Sequence, residues 1–344
     1  MAGTRPTIPA RPNQPAPARR ERAADPRAAS LVRLLRGPLG ALVLLIVYNA
    51  LFNADAFLTR QSFNVNATQV AVVVIVGVGL TFVIATGGID LSVGAIMAIS
   101  GSLAPIIFLA DSAPWATPFL GAGLAFVLPV LLGGALGAAN GALITGFRIQ
   151  PIIATLVLFI AGRGIAQVMT GGRLQSFREP DWQYIGLGRP LGIPFQVILM
   201  LSVVILAAWV MRSTVFGRYV VAIGGNAAAA RLAGVPVRRV TVAVYVISGL
   251  LAGLAGLIEI AINSSADANR IGLNRELDAI AAVAVGGTSL LGGRATITGT
   301  LIGALIIQLI RFTLLTEGAS DAVVRIVSAG AILVAVLIQH QRAT

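Results

Sequence analysis

The chain is a succession of apolar runs, and most are close to the length at which a helix crosses the hydrocarbon core of a bilayer, about 20 residues. They lie near 38–56, 66–86, 91–110, 119–145, 149–169, 194–211, 240–262, 276–292, 296–315 and 321–340. In lipid, a backbone must satisfy its own polar groups, so runs of this length are helices. No single water-soluble core would absorb so much apolar sequence. Hydrophobic residues make up 57% of the chain and charged residues 11%, against about 25% charged in ordinary soluble domains. The expectation is an all-α integral membrane protein of about ten transmembrane helices, occupying 37–344. Before it, residues 1–36 are rich in Pro, Ala and Arg and bury little, so a disordered basic cytoplasmic tail is expected there.

Arginine sets the topology. The net charge is +12, and no lysine contributes to it. With the N-terminus inside, cytoplasmic segments hold 16 arginines and external ones seven, while Arg163 and Arg325 fall within helices. That bias follows the positive-inside rule and places both termini in the cytosol. It also explains the basic balance without nucleic acid, for which aromatic-interleaved basic patches are missing. The tail has the charge to touch anionic membrane lipid.

The longest polar interruption, 212–239, carries five of these arginines: Arg212, Arg218, Arg231, Arg238 and Arg239. It is expected to be a cytoplasmic loop. Within it, Asn226 can cap a short helix from Ala227 to Leu232, which Gly234-Val235-Pro236 can end. A small alanine-rich helix exposed to the cytosol suits docking to another protein; a charged tether is the plainer alternative. The external segments 170–193 and 263–275 are polar, with Trp182 and Tyr184 expected at the lipid interface.

Absent residues exclude chemistry. Without cysteine there is no disulfide and no thiolate site. Without lysine there is no standard nucleotide-binding phosphate loop. The single histidine, His340, makes neither a triad nor a metal site. The chain is expected to be non-catalytic, with no cofactor and no metal of its own.

Polar residues inside apolar runs need a reason, since charge at membrane depth is costly. Thr86-Gly87-Gly88-Ile89-Asp90-Leu91-Ser92 breaks a run, as the discontinuous helices of transporters do. Asp90 can cap the next helix or meet a ligand. Glu276 and Asp278 can line a path or cap a helix start. Arg163 and Glu259 must each find a partner. Asn140, Gln167 and Gln308 add neutral donors and acceptors suited to hydroxyl groups, although hydrogen bonds between helices are the plainer account of all of these. The blocks GGIDLSVG (87–94) and GGTSLLGG (286–293) share Gly, Gly, Leu and Gly, a faint sign of internal duplication. Glycine steps at Gly133, Gly134, Gly137 and Gly141, and at Gly249, Gly253 and Gly256, mark helix faces that can pack closely.

Several of these stretches resemble one family. GRYVVAIGGNAAAARLAGVPVRRVTVAVYVISGLLAGLAGLIE, TGGIDLSVGAIMAISG and ELDAIAAV are similar to permease subunits of ABC importers for monosaccharides, of the ribose, xylose and galactofuranose type. AGRGIAQ around Arg163 and Ala266-Asp267-Ala268-Asn269 bring the chain closest to the galactofuranose permeases. The resemblance implies a type II ABC importer-like permease in a bacterial inner membrane, working as one of two permease subunits. It implies an ATPase partner that uses the ATP, and an extracytoplasmic sugar-binding protein. In this family the loop helix seats in a groove of the ATPase, which implies coupling roles for Asn226, Ala230, Arg231, Leu232 and Gly234. The expected substrate path takes in Gly87, Gly88, Asp90, Ser92, Asn140, Arg163, Gln167, Glu259, Glu276 and Asp278. The rival readings are a permease for branched-chain amino acids, an ion-coupled secondary transporter using the buried carboxylates, and a membrane scaffold.

Overall fold

The computed structural model describes residues 26–109 and 118–341. The sites discussed below all belong to one compact unit that begins at Leu35. The tail expected over 1–36 lies outside the described residues as far as 25, and α1 (Pro26–Phe52) begins directly after them.

Six helices among the described residues are long and apolar enough to cross a membrane. They are α3 (Arg60–Ala85), α5 (Pro118–Phe147), α6 (Pro151–Thr170), α8 (Phe195–Ser213), α11 (Val237–Asn263) and α13 (Ile297–Thr316). The remaining helices are α2 (Ala54–Phe57), α4 (Val93–Phe108), α7 (Pro180–Leu187), α9 (Val215–Gly225), α10 (Ala227–Leu232), α12 (Arg275–Val285) and α14 (Asp321–Gln341). The run expected at 276–292 is therefore not one spanning helix. Only 276–285 of it coil, within the 11-residue α12, because the Gly286-Gly287 pair stops the helix there. Likewise α4 has 16 residues, too short to cross about 30 Å of hydrocarbon at 1.5 Å per residue.

At the centre lies α11, packed against α5, α3 and α4. The glycine steps explain how closely α5 and α11 approach. A Cβ on Gly137 would run into the Tyr245 carbonyl, and one on Gly133 or Gly249 would strike the other's carbonyl. Backbone on backbone is what small residues permit in a bundle where lipid leaves no hydrophobic drive between helices.

The two polar segments 170–193 and 263–275 are joined rather than loose. β1 (Gln175–Ser176) pairs antiparallel with β2 (Ser265–Ala266). From the end of β2 the chain turns inward, burying Ala266, Ala268 and Ile271. Trp182, expected at the lipid interface, is only 5% exposed. It is enclosed by Phe108 and Phe177, with ring centroids at 5.2 and 5.6 Å. The aromatic cluster encloses its ring, whereas Tyr184 is exposed.

Candidate functional site: two helix breaks and a projecting helix

α3 and α12 end in the same way. Gly88 N–H donates to Val83 O (3.2 Å) and Gly87 N–H to Ile84 O (2.9 Å). Thr288 N–H donates to Val283 O (3.2 Å) and Gly287 N–H to Ala284 O (3.0 Å). Both are Schellman ends, which need a left-handed residue. Gly87 (φ +81) and Gly287 (φ +87) supply it. The sequence blocks match Gly87 to Gly286; the structure pairs Gly87 with Gly287, one residue further on. The two ends touch, since Gly293 N–H donates to Ala85 O (3.0 Å).

The first break, 86–92, holds the buried carboxylate. Asp90 is fully enclosed. Its Oδ1 accepts from Ser92 N–H (2.9 Å) and Ser92 Oγ (2.6 Å), and its Oδ2 accepts from Ser248 Oγ on α11 (2.9 Å). Asn140 on α5 donates Nδ2–H to Ser92 Oγ (2.9 Å). Above it, Tyr245 Oη donates to Ile89 O at 3.4 Å. Asp90 thus binds the amide two residues on and leads into α4 without being its cap. Ser92 occupies the N-cap position, and its side chain makes no capping bond. Sequence reading named Asp90, Ser92 and Asn140 but missed Ser248. Its signal was its place beside Gly249 on the glycine face of α11.

The other expected path residues form a second cluster, around the inward turn after β2. Arg163 on α6 donates Nη1–H to the carbonyls of Ala268 (3.0 Å), Asn269 (3.2 Å) and Ile271 (3.2 Å). One turn on, Gln167 donates to Asn269 Oδ1 (2.7 Å). Glu259 accepts from Gly272 N–H (3.3 Å) and pairs with Arg275 (3.6 Å), which also reaches Asp278 (3.9 Å). Glu276 is 4% exposed and lies against Gly94 of α4, with no hydrogen-bond partner for Oε2 among the described residues. Neither Glu276 nor Asp278 caps α12: its N-cap residue is Asn274, in the left-handed region, with no side-chain bond. Arg163 therefore satisfies its charge on carbonyl dipoles, and Gly94 is the backbone link between the two clusters. Gln308 lies apart from both, donating to Asn66 Oδ1 at 2.9 Å.

The basic interruption contains more structure than its sequence suggested. α9 was not anticipated. It starts at Thr214, whose Oγ1 accepts from Gly217 N–H (3.2 Å). α10 follows as expected: Asn226 Oδ1 accepts from Ala229 N–H (2.9 Å). Its end is a third such turn, with Val235 N–H donating to Ala230 O (3.0 Å) around Gly234 at φ +82. Ala230 is buried, Arg231 is exposed, and Leu232 is 90% exposed. A Cβ on Gly224, at the end of α9, would collide with the Ala85 carbonyl and the Gly293 amide. The helix leading into α10 is thus seated on both helix breaks, one of which carries Asp90. Backbone contacts therefore run from the end of α9, next to α10, to the break that carries Asp90.

Comparison with known proteins gives the same direction. The family described as branched-chain amino acid transport system / permease component matches residues 64–337. The ribose import permease protein of Escherichia coli K12 is 42% identical over 307 residues, covering 88% of this chain and 92% of that protein. The galactofuranose transporter permease protein of the same organism is 41% identical over 280 residues, covering 80% and 78%. The fructose import permease protein of Bifidobacterium longum is 34% identical over 294 residues, covering 81% and 80%. No solved structure matches the chain. With the match running through both helix breaks and α10, the chain belongs to this family of transport-system permease components.

Proposed function

We propose that this chain is the membrane-spanning subunit of an ABC importer for a monosaccharide, a pentose or a hexose such as galactofuranose. The observation that carries the proposal is α10: a capped helix with an exposed Leu232, joined through Gly224 to two broken helices. Relatives named for ribose, galactofuranose and fructose import support the sugar class.

The working unit is two permease subunits, identical or paired with a sister chain, with two ATPase subunits on the cytoplasmic side. An extracytoplasmic binding protein delivers sugar to the surface formed around α7 and the β1–β2 pair. In this reading α1, α3, α4 with the break before it, α5, α6, α8, α11, α12 with its following break, α13 and α14 make ten passages, with both termini in the cytosol. ATP binding closes the ATPase pair, α10 moves with it, and the permease pair changes the side on which it opens. The chain binds no nucleotide or cofactor itself. Sugar hydroxyls suit the amides and hydroxyls at Asn140, Ser92 and Gln167, which both donate and accept neutral hydrogen bonds as the path rearranges.

The test is ATP hydrolysis by the reconstituted complex with its binding protein. Monosaccharide should stimulate it, and replacing Arg231 or Gly234 should reduce that stimulation while membrane insertion is unchanged. Full stimulation in both variants would overturn the role of α10. The family description favours one rival, import of a branched-chain amino acid. Direct binding of leucine and of ribose to the partner binding protein separates the two substrate classes.

A further inference from the structure

Between α9 and α11 lies an open groove of about 790 Å³. Its mouth is formed by Arg238 and Arg239 in the first turn of α11. Its walls are Phe216 from α9 and Val242, Ala243, Val246 and Ile247 from α11. Both arginines are exposed. The salt bridges among the described residues are made elsewhere, by Arg275, and neither the Arg238 nor the Arg239 side chain has a hydrogen bond among those residues.

We propose that this groove binds one acidic phospholipid, with its phosphate at Arg238 and Arg239 and an acyl chain along α11. Three features select this ligand. Two unpaired guanidiniums in adjacent positions match a phosphate, which arginine grips through several donors. The apolar wall then follows one helix face from Arg239 through Val242 and Ala243 to Val246 and Ile247. Eight residues of helix rise about 12 Å, close to the roughly 15 Å depth of one leaflet. Finally, the charged end lies at the edge of an apolar spanning helix, where headgroups sit and where basic residues draw anionic lipid. A soluble anion would use the arginines and leave the wall in contact with neutral tails. A protein partner would have no need of a wall that runs on into the spanning part of α11.

The site also has a place in the mechanism. Arg238 and Arg239 lie a few residues beyond α10, and Phe216 belongs to α9, whose far end touches both helix breaks. A bound lipid would brace α9 against α11 at the base of the moving part.

The full-length chain, stripped of lipid in mild detergent, should be titrated with dioleoyl phosphatidylglycerol or dioleoyl phosphatidylcholine and analysed by native mass spectrometry. Phosphatidylglycerol should be retained in preference, one molecule first. The double variant Arg238→Gln/Arg239→Gln should weaken that retention roughly 10- to 30-fold and leave phosphatidylcholine unaffected. Ala243→Trp, which fills the wall but keeps both charges, should also weaken it; thermal unfolding must show both variants folded, and if one is not, the other decides. Any one of several results would overturn the proposal. The first is unchanged phosphatidylglycerol retention in a folded variant. The second is an equal loss in Arg148→Gln, which would mean a diffuse basic rim. The third is glycerol phosphate binding as tightly as the lipid, which would mean an anion site only. Loss of ATPase co-purification with intact lipid retention would assign the arginines to the protein partner and count equally against a lipid site.

Discussion

Asp90 is the residue on which the interior is most sensitive. Its carboxylate is buried without an ion pair among the described residues, and its hydrogen bonds come from Ser92 and Ser248. A buried polar group costs most when one of its partners is removed and the group is left behind. Ser248→Ala should therefore destabilise the chain by about 1–3 kcal/mol, measured by thermal unfolding in detergent. Ser248→Thr, which keeps the hydroxyl, should recover part of that loss. Equal stability of Ser248→Ala and the parent would mean that Asp90 is held in some other way. The carboxylate itself was legible, because an acidic residue between two apolar runs demands explanation. Its partner on α11 was not: a serine in a helix interior is an unremarkable letter until the fold brings it to within 2.9 Å of Asp90.

At the scale of elements, the three glycine-centred ends carry the design, and they differ in what surrounds them. Gly234 is left-handed with open space around it. Gly234→Ala should cost about 1–2 kcal/mol locally, from the left-handed backbone alone, leave the bundle folded and impair coupling. Gly137 has an ordinary helical backbone but no room, since a Cβ would meet the Tyr245 carbonyl. Gly137→Ala should force α5 from α11 and lower the unfolding temperature more than Gly234→Ala does, with overpacking costing about 1–3 kcal/mol. The reverse order in a thermal unfolding assay would show that α5 and α11 are not closely docked. Sequence reading found α10, its cap and its stop because Asn226 and Gly234 are local signals. It misjudged 276–292 because hydropathy reports burial in a window and not the continuity of a helix: Gly286-Gly287 divides that window. α9 was hidden for the opposite reason, as an amphipathic turn-rich stretch between arginines that reads as loop. The inward turn after β2 looked like a polar connector, whereas its main-chain carbonyls serve Arg163 and its Asn269 side chain serves Gln167.

For the whole molecule, the proposed function makes α10 a cytoplasmic handle on an interior path. The handle's side of the membrane can be read directly, because the chain has no cysteine of its own. Leu232→Cys should react with an impermeant maleimide added to inside-out vesicles and stay unlabelled in intact cells. Labelling from outside would invert the topology and remove α10 from reach of any ATPase. The most direct measurement of the central claim is monosaccharide uptake into proteoliposomes that contain this permease and its binding protein, with and without the ATPase subunits. The account predicts uptake only with the ATPase and ATP, and a large loss on replacing Arg231 and Leu232 by Ala. Uptake at the full rate without the ATPase, driven by an ion gradient, would contradict it.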